Sequence, residues 1–268
     1  MRGRRGFASG GPGARIVALL ALLLAAGATL AHAEVTQKGN LRVAVRAKMS
    51  PRTLPRTGTA PISVSVTGHV TTTDQSAPPQ LQQLRIEINR NGHLDPTGLP
   101  VCKANLIKTA SNGHALAVCG PALVGEGKFF GTITLPGAAP YPIEGKLLVF
   151  NATEHGRPVL LGHVFSPHPF ATSFLISFQI SANRHGTYGT MLSADLTKAL
   201  GSQRNLTGLE MTLQRRYTYK GKPRSYVSAG CPAPKGFPGA VFSLARTSFS
   251  FAGGAKLTST LTSSCKAR

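Results

Sequence analysis

Two cysteines and a histidine lie close together in one stretch of the chain and could form a reactive site. Cys102 and Cys119 are seventeen positions apart, and His114 lies between them. Zinc sites typically use cysteines two to four positions apart, and redox dithiols use a C-x-x-C motif, so neither chemistry fits this spacing. A cysteine nucleophile with His114 as its base would need reduced thiols outside the cell. We therefore predict a disulfide across a loop, with His114 as a turn residue.

Histidines and carboxylates supply few other candidates for catalysis or metal binding. His155, His163 and His168 could bind zinc or copper if they converged, but their spacings of eight and five do not place them on one face of one element. Glycoside hydrolysis needs two carboxylates on either side of the scissile bond. Glu144 and Glu154 flank one predicted strand and would be about 30 Å apart. Since the G-x-S-x-G and H-E-x-x-H motifs are also absent, we predict no catalytic residue, no metal site and no cofactor.

The most distinctive polar segment is RRYTYKGKPRSY, residues 215–226. A turn at Lys220-Gly221 would bring its basic residues to the tip of one hairpin. Arg and Lys beside aromatic rings can bind sulfated, phosphorylated or uronic polymers through charge and stacking. A solvated hairpin end is the alternative, because Tyr217 and Tyr219 continue the buried alternation of Leu213. The candidate polyanion-binding residues are Arg215, Arg216, Lys220, Lys222, Arg224 and Tyr226.

The elements that must position these residues are strands. Apolar and polar residues alternate in ISVSV at 62–66, LRIEIN at 84–89 and FLISFQI at 174–180, which is the pattern of half-buried β-strands. Glycine and proline turns separate the strands, and residues 193–201 alone suggest a short helix. These features predict an all-β fold, an antiparallel β-sandwich or barrel-like fold with at most one short helix. We predict a single β-rich domain over residues 34–268, with a boundary near residue 120 as the alternative.

Residues 1–33 have the three parts of a secretory signal peptide. A basic segment precedes the uncharged apolar run of residues 16–30, and Ala31-His32-Ala33 is a small-x-small cleavage site. We predict cleavage after Ala33 and no transmembrane segment in the mature chain. Because Arg4-Arg5-Gly6-Phe7 resembles a twin-arginine motif, the general secretory and twin-arginine routes both stay open.

The predicted mature chain is strongly basic. Removing residues 1–33 removes four of the 30 basic residues and none of the nine acidic residues, which leaves a formal charge of +17. Charge of this size favours anionic partners and says nothing about the fold. Outside the cell we expect an anionic envelope polymer or an acidic polysaccharide as the partner, and not nucleic acid.

An oxidising compartment predicts that the four cysteines form two disulfides. Pairing between neighbours would join Cys102 to Cys119 and Cys231 to Cys265. The two other connectivities stay open at this point.

Two strings around these cysteines resemble a known group of sequences. GLPVC…AVCGPALVGEG, within residues 98–127, and SAGCPAPKGFPGAVF, residues 228–242, are similar to secreted, β-rich, four-cysteine proteins of high-GC soil actinobacteria. The resemblance covers most of the mature chain. It implies secretion and the four-cysteine framework, and it brings no activity, ligand or catalytic residue.

These observations predict a secreted or cell-envelope-associated protein with a binding or structural role, which contacts an anionic polymer or polysaccharide. The alternative is an extracellular hydrolase whose catalytic residues converge from distant loops. That alternative requires a concave site in which several carboxylates or histidines meet.

Overall fold

The structure is a computed structural model that describes residues 34–168 and 170–268. The predicted signal peptide and its cleavage site lie outside the described residues. The α-helices are α1 (Ala104–Ile107), α2 (Asn112–Cys119) and α3 (Leu196–Leu200). The β-strands are β1 (Glu34–Lys38), β2 (Leu41–Ser50), β3 (Thr53–Leu54), β4 (Ala60–Pro61), β5 (Ser63–Thr72), β6 (Leu81–Asn89), β7 (Gly92–Leu94), β8 (Leu123–Ile133), β9 (Tyr141–Glu154), β10 (Arg157–Ser166), β11 (Thr172–Ala182), β12 (Tyr188–Asp195), β13 (Arg204–Leu213), β14 (Arg216–Tyr219), β15 (Lys222–Ser225), β16 (Val227–Ala229), β17 (Gly239–Phe251) and β18 (Lys256–Ala267).

Thirteen strands form one sheet that curls around a common interior. Their order is β1-β2-β5-β13-β8-β9-β10-β11-β12-β6-β17-β18-β3, and neighbours are antiparallel except for β18 and β3. The first strand returns to the far side of the sheet, where Thr36 Oγ1 lies 2.8 Å from Ser259 Oγ and 3.1 Å from the Thr258 carbonyl oxygen. Strand β13 also approaches β6 across the interior. The all-β prediction is confirmed, in one large, curled and mainly antiparallel sheet.

Period-two alternation decides which side chains face the interior. On β2, Val43 and Val45 are buried, while Arg42 and Arg46 on the opposite face are exposed. The same alternation on the other strands builds a large apolar core between the facing walls of the sheet. Burying one aliphatic side chain contributes about 1.5–3 kcal/mol, so this repeated pattern is the main source of stability.

The backbones of β8 and β13 approach each other closely at Gly127. Gly127 on β8 pairs with Met211 on β13. A Cβ atom on Gly127 would overlap the carbonyl oxygen of Glu210. The absence of a side chain therefore allows the two strands to pair at this position.

The structure of residues 102–122, here named the helical cap, differs from the sequence prediction for this stretch. Helices α1 and α2 replace the predicted loop. His114 is therefore a helical residue, near the start of α2, and not a residue of a loop turn as predicted. Ser111 caps this helix, because its Oγ accepts the backbone N–H of His114 at 3.3 Å. Ala115 and Cys119, one helical turn apart, both face inward. A capping residue and one buried helical face therefore outweigh the turn preference of Asn112-Gly113.

The helical cap covers the outer face of the sheet with a second, smaller core. Its Ile107, Ala115 and Cys119 pack with Leu148 and Phe150 of β9. The Cys102–Cys119 disulfide closes the segment, and the second disulfide joins Cys231 to Cys265. Pairing between neighbours is therefore present at both sites.

Small elements pack near the ends of the interior. The strands β4, β16 and β7 form a three-stranded sheet, and α3 packs against β6 and β11. Asp195 caps α3 by accepting the backbone N–H groups of Thr197 and Lys198 at 3.1 and 3.2 Å, so the short helix predicted within residues 193–201 is confirmed. Among the residues that the structure describes, no helix has the length and apolar content needed to cross a membrane.

Candidate functional site

The basic segment forms the hairpin that its sequence predicts. Strands β14 and β15 pair from Arg216–Ser225 to Tyr219–Lys222. The two residues between the strands, Lys220 and Gly221, have φ angles of 49° and 72°. Two successive positive φ angles are typical of the type I′ turn that closes two-residue hairpins. The hairpin therefore has a tight tip with lysines at its end.

Tyrosines attach this hairpin to the loop that follows β7. The hydroxyl of Tyr217 lies 2.8 Å from the carbonyl oxygen of Thr97 and 3.1 Å from that of Asp95, to which it can donate. The ring of Tyr219 packs where a Cβ atom of residue 98 would lie, and that residue is Gly98. One face of the hairpin is thus held by aromatic contacts, as the alternation of Tyr217 and Tyr219 with Leu213 predicted.

An ion pair holds the second strand of the hairpin. The Nη1 group of Arg224 donates to Asp95 Oδ2 at 2.9 Å. Burial tends to raise the pKa of Asp95, but hydrogen bonds from Thr97 and from Arg224 outweigh it and lower that pKa below its usual value. Arg224 is therefore already paired with a carboxylate that stays ionised.

The six candidate polyanion-binding residues divide into three exposed cations and three residues that are buried or half-buried. Arg216, Lys220 and Lys222 are exposed, and no ion pair found within 34–168 and 170–268 involves them. Lys220 Nζ lies 5.5 Å from the ring centre of Tyr219, within the range of a cation–π contact. The other three candidates, Arg215, Arg224 and Tyr226, have restricted exposure.

Tyr226 lies in the core and not on the hairpin surface. Its side chain is fully buried, and its backbone N–H donates to the carbonyl oxygen of Arg215 at 2.8 Å. Burial raises the pKa of the Tyr226 hydroxyl well above its usual value. The surface that an anionic ligand could reach therefore contains Arg216, Lys220 and Lys222, with Arg215 half-buried beside them.

Two carboxylates and a histidine line one open cleft on the outer face of β8 and β9. This cleft of about 910 Å³ is lined by Glu126, Glu144 and His168, together with Lys128 and Lys146. Each carboxylate is paired, because Lys128 Nζ lies 3.0 Å from Glu144 Oε1 and Lys146 Nζ lies 3.2 Å from Glu126 Oε2.

The spacing of these carboxylates does not suit glycoside hydrolysis. Glu126 is opposite Leu148 in the strand register, four residues from Glu144. Four residues of a strand span about 13 Å, whereas acid–base pairs in glycosidases are about 5–9.5 Å apart. The two lysines also lie between the carboxylates. The cleft is therefore a ladder of alternating charges and not a catalytic pair.

The three histidines of the 155–168 segment lie in different environments. His155 has a φ angle of 50° in the turn between β9 and β10, His163 is buried beneath the helical cap, and His168 is exposed beyond β10. Within the part of the chain that the structure describes, no group of three or more His, Cys, Asp or Glu side chains is arranged to hold a metal ion.

An apolar cavity inside the sheet was not predicted from the sequence. It has a volume of about 90 Å³ and is lined by residues of several strands, among them Val66, Ile86 and Met211. Two smaller cavities of about 50 and 20 Å³ adjoin it and share lining residues with it. Alternation indicates that these side chains face inward, but it gives no measure of how completely they fill the space between the walls.

Comparison with known proteins gives no relative for this chain: no family model, no curated protein and no solved structure matches it.

Proposed function

We propose that the protein is exported and acts outside the cytoplasm as a binding protein for an anionic polymer of the cell envelope or an acidic polysaccharide. The export part of the proposal rests on the basic and apolar composition of residues 1–33. Two disulfides are compatible with an oxidising compartment.

One observation carries the binding part of the proposal. Arg216, Lys220 and Lys222 lie exposed on a single two-stranded hairpin, while the aromatic residues of the same hairpin hold it to the loop after β7. The hairpin is therefore pre-ordered before a ligand binds, which reduces the entropy lost on binding. The +17 charge of the predicted mature chain attracts a polyanion to the surface.

The hairpin and the charged cleft differ in whether their cations are paired with carboxylates. In the cleft each lysine already neutralises a carboxylate, so its net charge is small. On the hairpin the three exposed cations face solvent without an acidic partner among the described residues. An anionic polymer therefore gains more by binding at the hairpin. The geometry of the cleft gives no support to the alternative of an extracellular hydrolase.

The experiment measures binding of the purified protein to three soluble polyanions: heparin, polygalacturonate and polyphosphate. We expect binding at low salt that weakens strongly as ionic strength rises to a physiological value, because exposed charges are screened within about 8 Å there. The triple variant Arg216→Gln, Lys220→Gln, Lys222→Gln should lose at least about tenfold in affinity, which corresponds to about 1.4 kcal/mol.

A matched control separates a site from general charge. Arg42, Arg46 and Lys48 are exposed cations on β2, and the variant that changes all three to Gln removes the same charge elsewhere on the sheet. This control should bind nearly as well as the unmodified protein. Equal losses in both triple variants would show a diffuse charge effect and refute the hairpin site, as would absence of binding to all three polyanions at low salt.

A further inference from the structure

We propose that the interior of the sheet binds a single unbranched alkyl or acyl chain. The site is the 90 Å³ cavity between β5, β6 and β13, together with the two cavities that adjoin it. This inference is independent of polymer binding by the hairpin, because it concerns the inward face of the sheet.

The interior is incompletely filled for a native core. Val66, Ile86 and Met211 belong to the inward-facing apolar set, yet each is only partly buried. Protein interiors normally pack as densely as organic crystals and contain few voids larger than a water molecule. A void of about 90 Å³ with further voids beside it therefore indicates space for a ligand.

The lining selects an apolar ligand over water. Four polar side chains line the largest cavity, and three of them, Asn89, Asn91 and Thr247, bond to protein groups, while His93 is exposed at its edge. Asn89 Nδ2 donates to the carbonyl oxygen of Ser243 at 2.7 Å, and Asn89 Oδ1 accepts from the backbone N–H of Asn91 at 2.9 Å. Thr247 Oγ1 donates to the carbonyl oxygen of Ser259 at 3.4 Å. Cavities without free polar partners stay dry and take apolar guests.

The arrangement of the cavities favours an extended chain over a compact ring. The largest cavity contacts Ile62, just before β5, and Val64 and Val66 on β5, and the 50 Å³ cavity contacts the same strand from Val66 to Val70. The eight steps from residue 62 to residue 70 span about 26 Å of extended chain. The two cavities therefore lie one after the other along β5, and joined they would suit an extended chain.

Three side chains lie between neighbouring cavities, because each of them lines at least two cavities. Val66 and Ile86 line both of the two larger cavities, while Met211 lines the largest and the smallest. Methionine has an unbranched side chain that repacks readily around different shapes. Small side-chain movements at these three positions would join the cavities into one channel.

The polar end of the channel fits a chain with a polar head. Asn91 and His93, which lie at the turn into β7 and on β7, line the largest cavity at the end next to the three-stranded sheet. His93 is exposed there. A chain with its apolar part inside would place its head among these groups, so a single-chain lipid or fatty alcohol is the ligand class.

The test uses the fluorescence of cis-parinaric acid with the purified protein, in competition with dodecanoic acid and dodecan-1-ol. We expect saturable fluorescence enhancement and displacement by both competitors. Displacement by the neutral alcohol, and insensitivity to salt, separate binding in the interior from attraction of the fatty acid anion to the basic surface. In a series of alcohols, affinity should rise with chain length and then reach a plateau when the channel is full.

Two variants that fill the cavity make the test specific. Val66→Phe and Met211→Trp should each lower the affinity for the probe at least about tenfold, with an unchanged or higher melting temperature. Thr212→Val, a change on the outer face beside Met211, is the control and should bind normally. The proposal is refuted if dodecan-1-ol fails to displace the probe or if the folded filling variants bind like the unmodified protein. If filling raises the melting temperature but no alcohol binds, the cavity is an empty void, and the proposal is again refuted.

Discussion

His163 is a buried histidine whose ring contacts the helical cap. Its imidazole is completely buried, and its Nε2–H donates to the carbonyl oxygen of Ala110 at 3.0 Å. The Nδ1 atom has no partner among the described residues. Burial lowers the pKa of His163 below 6.5, and the bond to Ala110 opposes this only in part. The fold therefore favours the neutral ring.

We expect the protein to lose stability as the pH falls below about 6.5. Below that value the unfolded chain binds a proton that the folded chain excludes, so the free energy of unfolding falls until the pH reaches the folded-state pKa. The loss is about 1.4 kcal/mol for each pKa unit by which burial lowers the value. Above pH 6.5 this contribution is complete.

Urea unfolding between pH 7.5 and pH 5 measures this effect. His163→Gln keeps an N–H donor but does not titrate, so its stability should depend less on pH than that of the unmodified protein. His185→Gln changes an exposed histidine and should keep the original dependence. Equal pH dependence in the unmodified protein and in His163→Gln would contradict the prediction.

Gly127 should tolerate no side chain, because a Cβ atom there would overlap the backbone of β13. We expect Gly127→Ala to destabilise the protein by about 1–3 kcal/mol, the range for overpacked sites. Gly68→Ala is the control, since a Cβ atom on that strand glycine has no neighbour within 4 Å. It should be neutral or stabilising by up to about 1 kcal/mol. Chemical denaturation of both variants gives the comparison, and equal effects would contradict the steric argument.

At the scale of elements, the Cys102–Cys119 disulfide fixes the helical cap on the sheet. Isolated helices of four and eight residues are unstable in water, so α1 and α2 depend on the crosslink and on packing with Leu148 and Phe150. We expect the Cys102→Ser, Cys119→Ser double variant to lose about 3 kcal/mol in the loop-entropy description. Urea unfolding measures the change.

The pairing itself is checked by a non-reducing peptide map. It should contain crosslinked peptides for Cys102–Cys119 and for Cys231–Cys265. Free thiols at residues 102 and 119, or a double variant as stable as the unmodified protein, would contradict this role of the disulfide.

Several elements of the fold could be predicted from sequence patterns alone. Strands such as β5, β6, β11 and β13 follow the alternation of their apolar residues, and α3 begins at the cap that Asp195 supplies. The helical cap was missed because its helices are short and because α2 has apolar residues on its exposed side, such as Leu116 and Val118. A pattern of one buried face is then not visible in the sequence.

At the scale of the whole molecule, β1 closes the curled sheet. It pairs with β2 over five residues and contacts β18 through Thr36. Deleting residues 34–38 from the predicted mature chain would expose the edge of β2, and unpaired strand edges promote association. We expect the truncated protein to form dimers or larger species in light scattering after size exclusion.

A point variant distinguishes the role of the β1 strand from that of the side-chain contact between Thr36 and β18. Thr36→Val removes the hydrogen bonds to β18 but keeps the strand, so it should remain in the original association state with a loss of about 1 kcal/mol. A truncated protein with the same association state and stability as the unmodified protein would show that β1 does not protect the edge.

The candidate site combines local and distant information. The hairpin turn, the exposed lysines and the inward tyrosines follow from residues 215–226 alone, since turn preference and alternation act over a few residues. The pairing of Arg224 with Asp95 joins residues 129 positions apart, and the burial of Tyr226 arises where the chain leaves the hairpin and enters β16. Neither has a local signal.

The sequence by itself determined many of the strands, the all-β class and the hairpin tip, because each depends on the spacing and type of nearby residues. The tertiary structure alone decided how the cysteines pair, which cations stay unpaired, that Glu126 and Glu144 share a cleft, and that the interior contains apolar cavities. Those properties depend on how closely distant strands approach and how well their side chains fill the space between them. Packing of that kind is a property of the folded chain, and alternation of apolar residues does not encode it.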